Sequence, residues 1–170
     1  MQLSDVLKDF LSLTQDAVGV GYRGPSDETA RLVYINPAYT ELFGHQPEDV
    51  IGGPVDIVHD PDTWDEYVSD VAPKFEAGEQ QFRAETSCIR ADGTKFWTSI
   101  SFFAFESTED GGRYSCATFR DISDLKARED EAAQALKDRD ALLAKQDGMY
   151  RELLATQTRL LSAMNAYPNP

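Results

Sequence analysis

The segment Ile35–Gly53 reads INPAYTELFGHQPEDVIGG, and the interpretation of the whole chain depends on it. Asn36 is a good N-cap and Pro37 suits the first turn of a helix, so this pair predicts a helix directly after a strand. Gly44 is expected to end that helix, because glycine adopts the left-handed conformation at low cost. Pro47 then opens a second, acidic turn.

Helices and strands are predicted on both sides of this segment. Apolar residues recur at helical spacing over residues 3–13, which predicts an amphipathic N-terminal helix. Residues 60–78 predict a loop followed by a helix that breaks near Pro73. Asp92-Gly93 lies between two alternating stretches and predicts a hairpin, because this pair tolerates positive φ. The predicted strands are residues 17–22, 32–35, 82–90, 95–105 and 113–121.

The chain is acidic and has a substantial apolar fraction. Its 170 residues include 16 Lys and Arg against 30 Asp and Glu, a formal charge of −14, and 41% are hydrophobic. This composition predicts one folded core with an appendage, and the negative charge argues against nucleic acid or a membrane surface as partner. No apolar run approaches the roughly 18 residues that span a bilayer, and no signal peptide is present. We therefore expect a cytoplasmic protein.

The composition changes at Asp124, after which helix-forming residues dominate and no proline occurs before Pro168. With Ile122 taken as position a, ten of the fourteen a and d positions as far as Tyr167 are apolar. This pattern is typical of a weak coiled coil. Gly148 is the expected weak point of the helix. Two alternatives stay open: a parallel dimeric coiled coil, or a helical hairpin that folds back at Gly148.

Four motifs occur in a characteristic order: INPAYTELFGHQPEDVIGG at 35–53, IVHDPDTW at 57–64, RADGTKFW at 90–97 and RDISDLKARE at 120–129. Together they resemble the PAS domain family over roughly residues 5–128. The resemblance implies an α+β fold, in which a five-stranded antiparallel sheet carries helices on one face. The expected organisation is an amphipathic cap helix at 1–14, a PAS domain at 15–123, a helical coiled-coil linker at 124–167 and the start of a following domain at 168–170.

The stretch DGTKFWTSISFFAF at 92–105 most resembles the LOV branch of the family, whose members bind FMN. That branch forms a light-driven adduct with a cysteine, and Val55 occupies the matching position here. Three polar residues that hold the flavin edge are replaced by Cys88, Thr98 and Phe119. A flavin edge without hydrogen bonds would cost about 1–3 kcal/mol for each buried polar atom. These departures argue against FMN as a cofactor.

Other cofactors and catalytic chemistry find little support. The only histidines are His45 and His59, and both are interpreted as surface or capping residues, which argues against heme. Cys88 and Cys116 lack metal-like spacing and are expected to be reduced core thiols, so no metal site is predicted. No nucleophile elbow or phosphoacceptor histidine is present. We expect no enzymatic activity; a histidine kinase or diguanylate cyclase output domain would belong to the parent protein.

The interior is predicted from strand alternation. If Thr98 faces inward, Phe96, Ile100 and Phe102 do so as well. Aromatic rings would then fill the space that a large planar cofactor needs. The interior is thus either an ordinary packed core or a small pocket for, at most, a small apolar or weakly polar metabolite. The candidate pocket-lining residues are Val55, Cys88, Thr98, Ile100 and Phe119.

The opposite face of the sheet carries Trp97, Phe103 and Phe105 and is too apolar to be left in water. Either the N-terminal helix or a second subunit is expected to cover it, and we expect a homodimer. The helix would use the side chains of Leu3, Val6, Leu7 and Phe10.

These features favour a sensory or regulatory PAS module of a bacterial-type signalling protein, with no catalytic residues. It would dimerise and pass a conformational signal through its C-terminal helix. Asp121, Ile122 and Ser123 are the expected joint, because the last strand becomes the helix there. The alternative is a ligand-free PAS domain that acts as a dimerisation or protein-interaction scaffold.

Overall fold

The computed structural model describes residues 3–77 and 79–166, which form two compact units that divide after Asp124. The predicted start of a following domain at 168–170 lies outside the described residues. The elements are α1 (Leu3–Leu13), β1 (Ala17–Arg23), β2 (Arg31–Ile35), α2 (Pro37–Phe43), α3 (Pro47–Val50), α4 (Trp64–Glu76), β3 (Gln81–Ile89), β4 (Lys95–Glu106), β5 (Arg113–Asp121) and α5 (Ser123–Asn165).

The first unit is built on one antiparallel sheet whose strand order is β2-β1-β5-β4-β3. The predicted five-stranded α+β architecture is therefore confirmed. Strand β4 lies between the strands that carry Cys88 and Cys116, and both cysteines are free thiols. Two strand spacings of about 4.8 Å separate these strands, which is beyond the reach of a disulfide.

Asn36 organises the entry into α2 as the sequence predicts. Its side-chain oxygen accepts hydrogen bonds from the backbone N–H of Tyr39 at 2.9 Å and of Val18 at 2.8 Å. Its amide nitrogen donates to the backbone oxygens of Leu11 and Asp16, each at 3.0 Å. One buried side chain thus joins the end of α1, the start of β1 and the cap of α2.

The core lies between the sheet and α2. Phe43 is fully buried at its centre, with ring centroids 5.2 Å from Phe119 and 5.6 Å from Phe96. Gly44 ends α2 with φ of 78°, a left-handed conformation that a side chain would strain. The aromatic cluster fixes the position of α2 over strands β4 and β5.

The predicted break near Pro73 is wrong, and α5 does not take the hairpin alternative at Gly148. Helix α4 continues through Pro73 to Glu76, because the lost backbone hydrogen bond falls near the end of the helix, where few further turns depend on it. Helix α5 runs for 43 residues through Gly148 without interruption. A single glycine costs a helix only about 1 kcal/mol relative to alanine, which a helix of this length tolerates. The described residues therefore contain no helical hairpin at Gly148.

Within the ranges that the structure describes, no helix is both long enough and apolar enough to cross a membrane.

Candidate functional site

A cavity of about 390 Å³ lies in the first unit, between the sheet and the helices packed on it. Its wall is mostly apolar and draws on strands β1, β4 and β5, helices α2 and α4, and the segment between α3 and α4. The residues that matter for its chemistry and shape are Gly19, Gly21, Tyr39, Val55, His59, Trp64, Tyr67, Ile100, Phe119, Arg23 and Arg113.

Two glycines of β1 shape the cavity. A Cβ atom on Gly21 would lie 2.7 Å from both Val55 Cγ1 and Ser115 Oγ. A Cβ atom on Gly19 would lie 3.3 Å from Tyr39 Cε2. The absence of side chains at alternate positions of β1 lets Tyr39 and Val55 approach the sheet. The sequence AVGVGY contains this signal, which the strand prediction did not use.

The interior prediction is right about the face of the sheet but only partly about the cavity. Val55, Ile100 and Phe119 line the cavity, whereas Cys88 and Thr98 are fully buried away from its wall. Placing Cys88 and Thr98 on the pocket wall was therefore wrong. Strand alternation determines the face that a side chain occupies, and it leaves open what packs over each point along the strand.

The segment containing His59 packs over the end of β3 that carries Cys88. His59 and Cys88 form an isolated antiparallel bridge, and the backbone N–H of Ile89 donates to the oxygen of Val58 at 2.8 Å. Burial raises the pKa of the Cys88 thiol to about 11. Cys88 is thus an unreactive core thiol.

The interpretation of His59 as a surface or capping residue was wrong. Its ring packs against Trp64 and Tyr67, with centroid distances of 4.8 and 4.6 Å, and it forms part of the cavity wall. Burial lowers the pKa of His59 to about 4, although Asp56 opposes this shift. The imidazole is therefore neutral at physiological pH.

On the cavity wall, the Tyr39 hydroxyl and His59 Nδ1 are buried polar atoms with no hydrogen-bond partner among the described residues. Tyr39 is 1% exposed, and burial raises the pKa of its hydroxyl, which is therefore neutral as well. Buried polar groups are nearly always paired in folded proteins. These two atoms mark the part of the wall with unused hydrogen-bonding capacity.

Asp60 holds the segment that carries His59 in place. Its buried carboxylate pairs with Lys95 Nζ at 2.8 Å and accepts hydrogen bonds from Ser87 Oγ at 2.8 Å and the Asp62 N–H at 3.1 Å. The hydrogen bond from Lys95 is the main reason that the pKa of Asp60 is lowered. The motif HDPDTW contains this anchor, but sequence reasoning did not identify its role.

The predicted joint at the end of β5 is closely bonded. Asp121 accepts from the Ser123 N–H at 2.9 Å and from Arg90 Nη2 at 2.8 Å. The N–H of buried Ile122 donates to the Trp97 oxygen at 2.9 Å, and Ser123 Oγ accepts from the Trp97 N–H at 3.1 Å. The three predicted joint residues therefore lie together, tied to β4 through its backbone.

Arg90 was not anticipated at this joint. Its guanidinium stacks over the Phe96 ring at 3.9 Å and donates to the backbone oxygen of Leu42 as well as to Asp121. One side chain thus connects the C-terminal part of α2, the aromatic core and the joint. The motif RADGTKFW contains Arg90, although the sequence alone indicates only a turn there.

The outer face of the sheet stays apolar and accessible. Trp97 is 45% and Phe105 is 51% exposed, and Phe103 is partly buried. Helix α1 does not cover this face through its described side chains, because Val6 and Phe10 are themselves 41% and 67% exposed. The predicted cover by α1 is wrong for these two residues. The side chains of Leu3 and Leu7 lie outside the described part of the structure.

Residues 3–77 and 79–166 contain no group of three or more His, Cys, Asp or Glu side chains placed to hold a metal ion.

The first unit matches a known protein family. A family model described as a PAS domain matches residues 19–124. The chain belongs to the PAS family. This PAS domain is 26% identical over 130 residues to the oxygen sensor protein DosP of Escherichia coli, an alignment covering 75% of this chain and 16% of DosP. The chain thus spans about one-sixth of that relative.

Solved structures share the fold of this PAS domain. A PAS domain from Colwellia psychrerythraea superposes with a TM-score of 0.62 at 19% identity, covering 72% of this chain and 99% of the other. A light-oxygen-voltage domain reaches 0.59 at 23% identity, covering 79% and 94%. A PAS domain of a two-component sensor histidine kinase reaches 0.55 at 14% identity, covering 69% and 95%. At these identities the likeness establishes the fold alone.

Proposed function

We propose that this PAS domain is a regulatory module that forms a homodimer and passes a conformational signal from its cavity into α5. The observation that carries the proposal is the surface of α5. This helix has 43 residues, none of the described ones is buried, and large apolar side chains remain exposed along its length. Such a surface requires a partner, and a second copy of the same helix supplies a matching one.

Most of the exposed large apolar residues of α5 lie on the heptad seam, and the others lie at the flanking e and g positions: Leu142, Met149, Leu154 and Leu161. Leu136 and Leu143 occupy a positions and Leu153 and Leu160 occupy d positions, and each is more than half exposed. At 1.5 Å per residue the helix is roughly 65 Å long, enough for about six heptads. We therefore assign α5 to a parallel two-stranded coiled coil.

Four polar seam residues make this coiled coil weak. Glu129, Arg139, Gln146 and Gln157 would face the partner helix, where polar groups lower stability. A weak seam keeps two helix registers close in energy. A modest bias at one end of α5 can then change the population of each register.

Strand β5 connects the cavity with the joint. Phe119 belongs to the cavity wall, and Asp121 lies two residues further along the same strand. A displacement of β5 by an occupant of the cavity would reach Asp121 directly. Arg90 would sense the same displacement through its contacts with Phe96 and Asp121. We propose Asp121, Ile122 and Ser123 as the hinge of signal transmission.

The cavity favours sensing over a ligand-free scaffold, because a domain that serves only to dimerise has no need for an internal space of about 390 Å³. The relationship to an oxygen sensor supports the sensory class without assigning the signal. The residues matched to the flavin-binding positions include Val55 and Phe119, which offer neither a thiol nor an amide. We propose that neither FMN nor heme is the ligand, that the module is non-catalytic and cytoplasmic, and that a separate output domain reads the state of α5.

Replacing Leu143 with lysine is expected to raise the dimer dissociation constant at least 100-fold. The substitution puts a charge at position a of both helices and removes two buried leucines, each contributing about 1.5–3 kcal/mol. Ala141→Lys adds the same charge at exposed position f and is the matched control. Sedimentation equilibrium of the full chain measures both constants. Equal dissociation constants for the two variants would contradict the coiled coil.

The outer sheet face is a second candidate contact between the two copies. Phe103→Asp is expected to weaken the dimer about tenfold, because it places a carboxylate on an apolar surface. Thr108→Asp adds the same charge in the exposed turn between β4 and β5 and should leave the dimer unchanged. Light scattering over a concentration series gives the mass of each variant. A wild-type mass for Phe103→Asp at every concentration would exclude this face from the interface.

A further inference from the structure

The chemistry of the cavity wall limits what the cavity can bind. Most of the wall is apolar, formed by residues such as Val55, Ile100 and Phe119. Tyr39 and His59 each add one buried polar atom that has no partner among the described residues. Tyr39 and His59 therefore supply unused hydrogen-bonding capacity at the cavity.

Both groups are electrically neutral at physiological pH. Burial raises the pKa of Tyr39 and lowers the pKa of His59 to about 4. A neutral phenol can donate or accept, and an imidazole Nδ1 does one or the other according to its tautomer. Because both side chains are neutral, neither offsets the cost of removing a charged ligand from water. The hydrogen-bonding group of the ligand is therefore expected to be uncharged.

The two arginines of the wall, Arg23 and Arg113, lie at a different end of the sheet from Phe119. Arg23 and Arg113 are paired across β1 and β5, at the ends of these strands away from Phe119. Arg23 is exposed, so its charge remains in contact with water. Placing the anionic group of a ligand at these arginines would leave Tyr39 and His59 without partners.

The volume of the cavity sets the size of the ligand. A cavity of about 150 Å³ accommodates benzene. The present cavity, of about 390 Å³, has more than twice that volume. Two fused rings with a small substituent match this space.

We propose that the cavity binds an uncharged, mainly apolar ligand of about two fused rings whose single hydroxyl or carbonyl group hydrogen-bonds to Tyr39 or His59. This assignment rests on the proposed sensory function and names the ligand class of the same site. It also explains why a mostly apolar wall retains two unpaired polar groups, because a bound ligand would complete one or both hydrogen bonds.

The test uses two probes of nearly equal shape, 2-naphthol and 2-methylnaphthalene, with the full chain at neutral pH. Affinities are measured for wild type, Tyr39→Phe and His59→Phe by calorimetry or competition fluorescence. The ratio of the two affinities isolates the hydroxyl contribution, since each variant keeps an aromatic ring. We expect wild type to bind 2-naphthol, and at least one variant to reduce its preference over 2-methylnaphthalene about tenfold, as for one hydrogen bond.

Three results would overturn the proposal: no binding of either probe to wild type, an affinity ratio unchanged in both variants, or tighter binding of 2-naphthoate than of 2-naphthol. The last result would assign the ligand to the arginine end instead. Thermal unfolding identifies variants that fail to fold, and Tyr39→Phe is expected to be at least as stable as wild type because it removes an unpaired hydroxyl.

Failure of the proposed function has a different signature. Binding of 2-naphthol with no change in the spectrum of a spin-label pair on α5 would leave the ligand class intact and contradict signal transmission. Loss of the dimer in Leu143→Lys with unchanged 2-naphthol binding would support both the coiled-coil dimer and the ligand class.

Discussion

Replacing Asn36 with alanine is expected to lower the free energy of unfolding of the PAS domain by about 3–5 kcal/mol. The side chain is 1% exposed and takes part in four hydrogen bonds, to the backbone of Val18, Tyr39, Leu11 and Asp16. Loss of a helix cap costs about 1 kcal/mol, and each backbone group left buried without a partner adds about 1–3 kcal/mol. Since domains are stable by only about 5–15 kcal/mol, this variant should be partly unfolded near 37 °C.

Urea denaturation followed by circular dichroism measures this loss of stability. Two further variants test whether the loss comes from the hydrogen bonds of Asn36. Asn36→Ser keeps an oxygen that can cap α2 but cannot reach all four partners, so it should lose a smaller part of the stability. Asn165→Ala, near the end of exposed α5, should change stability by less than about 0.5 kcal/mol. An Asn36→Ala variant as stable as Asn165→Ala would show that the four bonds do not hold α1, β1 and α2 together.

Lowering the pH from 6.5 to 4 is expected to remove about 3 kcal/mol of stability through His59 alone. Burial lowers the pKa of His59 in the folded chain from 6.5 to about 4. The unfolded chain therefore binds a proton in this pH window while the folded chain does not. The contribution is fully present above pH 6.5, is lost as the pH falls towards 4, and amounts to about 1.4 kcal/mol per pH unit.

The contribution of His59 is separated from that of the carboxylates by comparing variants at each pH. His59→Phe keeps an aromatic ring between Trp64 and Tyr67 and removes the titrating group. The difference in unfolding free energy between wild type and His59→Phe should shift in favour of the variant by about 3 kcal/mol between pH 7 and pH 4. Asn165→Ala removes no titrating group, so it is the control and should retain the wild-type pH dependence. A constant difference over the whole range would mean that His59 is not buried as a neutral side chain.

The roles of Asn36 and His59 differ in how far the sequence reveals them. Asn36 could be recognised in the sequence as a helix cap, because the pair Asn-Pro before an apolar helix is a local signal. Its three bonds to Leu11, Asp16 and Val18 could not, since they join residues 25, 20 and 18 positions apart in the chain. His59 was misinterpreted although Trp64 and Tyr67 lie close to it in the chain, because the sequence does not show that these rings of α4 pack against the imidazole.

The lining of the cavity could be predicted from the sequence only in part. Alternation along β4 correctly placed Thr98 and Ile100 on the inner face, because a strand allows only two directions for a side chain. Of these two residues, Ile100 lines the cavity and Thr98 does not. The choice between a packed core and a small pocket depends on where α4 and the segment around His59 lie over the sheet, which no local pattern describes.

Local sequence determined the strands, the cap of α2 at Asn36 and the mostly apolar heptad pattern of α5, because hydrogen bonding and side-chain period act over a few residues. The order of motifs was enough to indicate the PAS fold. The tertiary structure alone decided that Tyr39 and His59 meet the same cavity and that Arg90 reaches Asp121. These contacts depend on how helices and strands distant in sequence pack together, and packing reflects the shapes of all the elements at once.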